Sequence, residues 1–145
     1  MHAWLCENPT GVDALHWQQT PTPQPLPGQV LLELKAASLN FPDLLVVQNK
    51  YQFKPALPFV PGMEFAGIVT AVGQGVTQPD VGQLVACMNR IGGFATHAVV
   101  DADRCVPLPA SFSHEHAAAF IATYGTSYHA LIDRARLQPG ETVLV

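Results

Sequence analysis

Charge is what this sequence has least of. Only 12% of its 145 residues are Asp, Glu, Lys or Arg, about half the usual share for a globular domain. A surface so poor in charge is expected to be covered in part, by a second domain, a partner subunit or the rest of the same protein. Seven basic residues against eleven acidic ones leave a net charge of −4, so there is no basic footprint and no nucleic acid is expected as a partner. The three cysteines, Cys6, Cys87 and Cys105, are odd in number, widely spaced and form no C-x-x-C. Neither a disulfide framework nor a zinc knuckle is indicated, and they read as reduced, buried thiols. No apolar run approaches the roughly 18 residues that span a bilayer, and Met1-His2-Ala3-Trp4-Leu5-Cys6-Glu7 lacks a charged-then-apolar signal layout. The expectation is a soluble cytoplasmic protein with no membrane partner. H-E-x-x-H and G-x-G-x-x-G are both missing.

What the chain does have is apolar content, 48%, ample for the core of one domain. It is organised around Pro61-Gly62-Met63-Glu64-Phe65-Ala66-Gly67-Ile68-Val69-Thr70-Ala71-Val72-Gly73-Gln74-Gly75-Val76. From Phe65 to Val72 only Thr70 is polar, which predicts a strand buried on both faces. Gly73 and Gly75 suit a tight turn that needs positive φ. Gly62 and Gly67 remove side chains where another backbone or a ligand approaches.

Met1 to Glu7 reads as a strand turned back at Asn8-Pro9-Thr10-Gly11, and the four prolines between Thr20 and Gly28 make a stiff connector. Val30, Leu32, Leu34 and Ala36 alternate with Glu33 and Lys35, the pattern of a half-buried strand. Asn40 is placed to cap a short helix with Pro42 and Asp43 in its first turn, ending near Gln48. Asn49 then tolerates the left-handed turn that follows. Further strands are expected at 83–88 and 94–100, separated by Gly/Pro turns. Residues 113–136 turn helical, and Gly125 is expected to break them into two helices. Thr142-Val143-Leu144-Val145 reads as a hydrophobic strand at the end of the chain, an edge without partners, and so as the mark of a truncated chain.

These motifs resemble a known family. P-G-x-E-x-x-G-x-V-x-x-V-G-x-G-V, followed by Val81-Gly82, is similar to the signature of the medium-chain dehydrogenases/reductases, specifically their zinc-free quinone oxidoreductase branch. Asn40-Phe41-Pro42-Asp43, Gln48-Asn49-Lys50-Tyr51, Thr123 to Leu131 and Leu137 to Val145 resemble further parts of that branch. The resemblance covers essentially the whole chain. It implies a β-rich α+β fold, a GroES-like partly open β-barrel with C-terminal helices and the first strand of a missing Rossmann domain. Residues 1–112 would be the GroES-like substrate-side domain, and 113–145 the linking helices and the start of a truncated nucleotide-binding domain. Two departures from the pattern are Gln83-Leu84 after Val81-Gly82 and Leu45 in place of an aromatic.

The zinc-dependent relatives ligate their metal at positions that correspond here to Asn40, Met63 and Ala122-Thr123. Those residue types do not suit zinc, and no metal is expected. His114 and His116, two apart on a helix, do not face each other and read as a solvated helix start; His97 and His129 read as structural or surface residues. Without a metal, hydride transfer relies on positioning and on hydrogen-bond donors toward the developing oxyanion. By resemblance Asn40 lines the cleft beside the nicotinamide; it reads equally as a helix cap, and the two roles are compatible. Asp43 orients neighbouring donors or is simply a first-turn carboxylate. Tyr51 stands at the family's aromatic position near the substrate, and by itself reads equally as a core or surface tyrosine. Thr126 and Tyr128 stand where relatives contact the nicotinamide end of the cofactor. Two apart on a helix they diverge, so a bend at Gly125 is expected if both serve. Glu64 is expected to support Gly62 and Gly67 by hydrogen bonding.

The resemblance thus implies the N-terminal part of an NADPH-dependent oxidoreductase acting on a small-molecule quinone or α,β-unsaturated carbonyl. The full-length protein would be a homodimer, the cofactor held mainly by the missing domain and the fragment alone inactive. An enoyl-CoA or enoyl-thioester reductase of the same superfamily is the alternative within the class. A non-catalytic GroES-like binding module is the alternative outside it.

Overall fold

The computed structural model describes residues 1–144. Its centre is a five-stranded antiparallel sheet. In chain order the strands are β1 (His2–Cys6), β2 (Leu15–Gln19), β3 (Gln29–Ser38), β4 (Glu64–Val72), β5 (Leu84–Met88), β6 (His97–Asp101) and β7 (Cys105–Pro107). The sheet runs β6-β3-β4-β5-β7, and β1 and β2 form a separate hairpin. Bridges Ala3 to Ala95 and Cys6 to Phe59 tie that hairpin to the rest. The layout is a partly open β fold of GroES-like type with no closed barrel among the described residues.

Strand periodicity explains the core. Val30 and Leu32 of β3 are fully buried and meet Phe65 and Val69 of β4, Val85 and Cys87 of β5, and Ala98 and Val100 of β6. Leu31 is buried as well, so β3 is less one-sided than its alternation predicts, and a register shift between Leu31 and Leu32 marks the departure. On β4 the double burial holds for Phe65 to Gly67 and fades toward the exposed Val72. All three cysteines are buried and unpaired.

Helix α1 (Phe41–Val47) starts after Asn40 and ends at Gln48, with Pro42 in its first turn. Asn49 follows at φ 56, in the left-handed region. Val46 and Val47 pack on Cys6 and Phe59, which fixes α1 between the hairpin and the sheet. Helix α2 (His114–Ala118) is capped by Ser113 Oγ, which accepts from His116 N at 3.2 Å. Its Ala117 and Ala118 press against Ala66 and Ala86; four alanines in contact let helix and sheet approach closely.

Four expectations need correction. The helical break lies at Ala119 (φ −122, ψ 8), not at Gly125, which has ordinary helical angles (φ −62, ψ −43). The run 121–134 is continuous and opens into wide π-helical turns at Ile121–Gly125 and His129–Arg134. The hydroxyls of Thr123 and Ser127 donate to the carbonyls of Ala119 (2.6 Å) and Thr123 (2.9 Å), which competes with the regular ladder and loosens it. Gly73 does not take positive φ: a Cβ there would lie 1.9 Å from Leu26 O, whereas Gly75, at φ 81, makes the turn. The 94–100 strand begins only at His97. Residues 142–144 form no strand, because no neighbouring strand among the described residues takes up their backbone groups; Val145 lies outside the described residues. Among the described residues no helix is long and apolar enough to cross a membrane.

Gly67 shows why β4 carries glycine in its interior. A Cβ would stand 2.5 Å from the backbone carbonyl oxygen of Glu33 on β3, and backbone in the middle of a sheet cannot yield. Gly67→Ala is expected to lower stability by about 1–3 kcal/mol, and more than Gly125→Ala, where the space is open and the backbone helical. Urea unfolding midpoints of the two variants check the order.

Candidate active site

Glu64 opens β4, is 1% exposed, and faces Ser38, its cross-strand partner at the end of β3. Ser38 Oγ donates to Glu64 Oε2 at 2.6 Å. The chain then leaves the sheet in extended form (Asn40 φ −117, ψ 151), so Ser38 and Asn40 point the same way. Asn40 Nδ2 consequently donates to Ser38 Oγ at 2.9 Å and lies 3.5 Å from Glu64 Oε2. The other carboxylate oxygen, Oε1, accepts the backbone N–H of Ala122 at 2.8 Å, where the terminal helical run begins. One buried carboxylate thereby joins β3, β4, the start of α1 and the helical run. Glu64 does not bond Gly62 or Gly67 as expected; it serves Ser38, Asn40 and Ala122 instead.

Asp43 sits one turn into α1, 6% exposed. Its Oδ2 accepts the Asn40 N–H at 2.9 Å, the carboxylate half of a capping arrangement. Burial pushes its carboxyl above the ordinary value of 3.8; the N–H groups of Asn40, Met63 and Gly62 pull it back in part, and nearby Glu64 adds a smaller upward push.

Helix α1 separates two clefts, and Asp43 belongs to the wall of both. The first, about 730 Å³, holds Asn40 among Trp4, Trp17, Leu39, Phe41 and Phe94. The second, about 780 Å³, holds Tyr51 with Met63, Met88, Phe53, Arg90 and Arg104. Tyr51 is half-buried, its ring packed against the cluster of Cys6, Val46, Val47 and Phe59. Of the expected site residues, then, Asn40 and Asp43 are in direct contact, while Tyr51 stands across α1 from Asn40. Thr126 and Tyr128 are exposed on the helical run and line neither cleft. Among the described residues no group of three or more His, Cys, Asp or Glu is gathered to hold a metal.

Ser38 escaped the sequence reading, although a serine two residues before Asn40 in an extended segment was a usable signal. Ala122 was singled out only as a position unsuited to zinc; its role through the backbone N–H was not foreseen.

Each contact to Glu64 comes from a donor, so an amide NH₂ in place of one oxygen would face a donor in a buried site. Glu64→Gln is expected to cost about 1–3 kcal/mol in urea unfolding, against a change within about 0.5 kcal/mol for the exposed Glu7→Gln. Asp43 carries a sign that pH can read. Its folded form holds the proton more tightly than the unfolded chain does, so its contribution is complete below pH 3.8 and is lost as pH rises through the raised folded value. Asp43→Asn keeps an acceptor for the Asn40 N–H, and its urea midpoint should fall less than that of the unaltered protein over this rise.

Residues 26–110 match the alcohol dehydrogenase GroES-like domain. The human synaptic vesicle membrane protein VAT-1 homolog is 42% identical over 93% of this chain, which covers 35% of that protein. Quinone oxidoreductase-like protein 2 of Rattus norvegicus is 34% identical over 99% of the chain, which covers 45% of it. Among solved structures, the human VAT-1 homolog-like protein superposes with a TM-score of 0.92 at 31% identity, covering 97% of this chain and 45% of that one. The quinone oxidoreductase of Thermus thermophilus, solved also in complex with NADPH, gives 0.85 at 34% identity, covering all of this chain and 44% of that one. The chain thus spans less than half the length of these relatives. It belongs to the alcohol dehydrogenase GroES-like domain family, in the quinone oxidoreductase branch of the medium-chain dehydrogenases/reductases.

Proposed function

We propose that this chain is the substrate-side part of an NADPH-dependent oxidoreductase that reduces quinones or α,β-unsaturated carbonyls without zinc. The second cleft carries the reading. Tyr51 lines it with Met63 and Met88, and no hydrogen bond among the described residues engages the tyrosine hydroxyl. An uncommitted phenolic donor in an apolar recess suits a carbonyl oxygen on which negative charge develops.

The residues present fit one end of the cofactor. Leu39 and Phe41, 86% and 71% exposed, flank Asn40 and offer apolar surface beside a fixed amide, the setting for a flat ring bearing a carboxamide. No glycine-rich phosphate loop stands in these residues, so the phosphates fall to another part of the protein. NADPH, when bound, supplies the hydride. Asn40, held by Ser38 and Glu64, would stand beside its ring end.

Because Asn40 Nδ2 is engaged by Ser38 at 2.9 Å, Asn40 acts chiefly by position, and donation to the substrate oxygen falls to Tyr51. Hydride transfer needs the ring and the substrate carbon in contact, so the two would meet at the start of α1, where Asp43 lines both clefts and accepts the Asn40 N–H. Met63, Met88 and Val46 give this cleft its apolar wall, beside which a hydrogen bond is stronger than in open water.

Assay of the full-length protein with NADPH and a quinone tests this. Tyr51→Phe is expected to lower kcat/KM for the quinone on the order of 10²-fold with KM for NADPH unchanged, and the 145-residue chain alone should give no turnover. An unchanged rate in Tyr51→Phe removes the tyrosine from the reaction.

A further inference from the structure

The charges are distributed unevenly between the two clefts. Lys54, Arg90 and Arg104 all line the second, three of the seven Lys and Arg residues of the sequence, while the first cleft has none. The only acidic residue lining the second is the buried Asp43. In a chain of net charge −4, a recess with three cations at its rim is a local reversal of sign.

The three are held differently. Arg104 Nε lies 3.5 Å from Asp101 Oδ2 and is partly neutralised. Lys54 Nζ donates to the carbonyl of Asn49, a contact that fixes the ammonium without cancelling its charge. The Arg90 guanidinium lies 5.0 Å from the centre of the Phe53 ring, and among the described residues no carboxylate lies within ion-pair distance of it. A guanidinium stacked on an aromatic face loses little freedom on binding and keeps its N–H edge free for an oxyanion.

We infer that the second cleft recognises a substrate with an anionic substituent, a carboxylate, sulfonate or phosphate, bound at its rim by Arg90 with Lys54 and Arg104 in support. The inference rests on the reading of this cleft as the substrate's. The apolar recess at Tyr51 and Met63 takes the unsaturated carbonyl, and the cationic rim takes the charge. Arg90 is thus a specificity-determining residue and has no part in the chemical step.

Equilibrium dialysis of the full-length protein against naphthoquinone sulfonate and against uncharged naphthoquinone tests it without requiring turnover. The sulfonate should bind more tightly than the neutral probe. Arg90→Gln should narrow that gap about tenfold, the effect of losing a hydrogen bond to a charged group. Arg90→Lys should restore part of it, and Arg134→Gln, on the terminal helical run, should leave it unchanged. Added salt should narrow it as well. Equal affinities for the two probes overturn the inference, as does a gap unaffected by Arg90→Gln. Displacement of the sulfonate by NADPH would assign the cations to the cofactor and overturn it too. Turnover of both probes with NADPH, followed in the same samples, separates the two claims. A binding gap without turnover removes the reductase reading and leaves the anion site; turnover without a gap does the reverse.

Discussion

A buried carboxylate has to be surrounded by donors, and much of this molecule follows from meeting that need at Glu64. An unpartnered charge at 1% exposure would cost several kcal/mol. Ser38, Asn40 and the Ala122 N–H supply the partners, and they come from two stretches, 38–40 and the start of the helical run, far apart in sequence. The start of α1 and the start of the terminal helical run are thereby fixed against the sheet. By the resemblance, Asn40 and the Ala122-Thr123 stretch correspond to metal-ligand positions of the zinc-dependent relatives. Here a carboxylate and its donors hold the same segments together.

With α1 fixed, the two clefts are consequences. The helix packs Val46 and Val47 inward on Cys6 and Phe59, so its flanks become the walls of two recesses, with Asp43 shared between them. One recess is aromatic, from Trp4, Trp17 and Phe94; the other is edged by Arg90, Arg104 and Lys54. The division leaves one short helix with an aromatic recess on one side and a cation-edged one on the other. It also accounts for the low overall charge, since much of the exposed apolar surface belongs to the cleft rims and to Phe120, Tyr124 and Tyr128 of the helical run.

Local physics was legible in the sequence wherever one residue controls one backbone conformation. Asn40 and Pro42 marked the start of α1, Asn49 its left-handed exit, and Gly67 a close approach of strands, and each stands as expected. The failures share a cause. Gly73 looked like a turn residue but is needed because the carbonyl of Leu26, 47 positions earlier in the chain, comes against it. Gly125 looked like a breaker, yet an exposed glycine accepts helical angles when its neighbours continue the helix. The loosening came instead from Thr123 and Ser127, whose hydroxyls take backbone carbonyls. The 142–144 segment looked like a strand by composition, but a strand exists only by pairing.

The sequence by itself determined the family, the order of most strands, the extent of α1 and the identities of the residues now found at the clefts, because turn chemistry, capping and period-2 burial act over a few neighbouring residues. Only the tertiary structure decided that Glu64 binds Ser38, Asn40 and the Ala122 amide, that Tyr51 and Asn40 lie on opposite sides of α1, and that three scattered cations share one rim. Those relations join residues 11 to 58 positions apart, and no local preference encodes a distance that arises only once strands pair and helices pack.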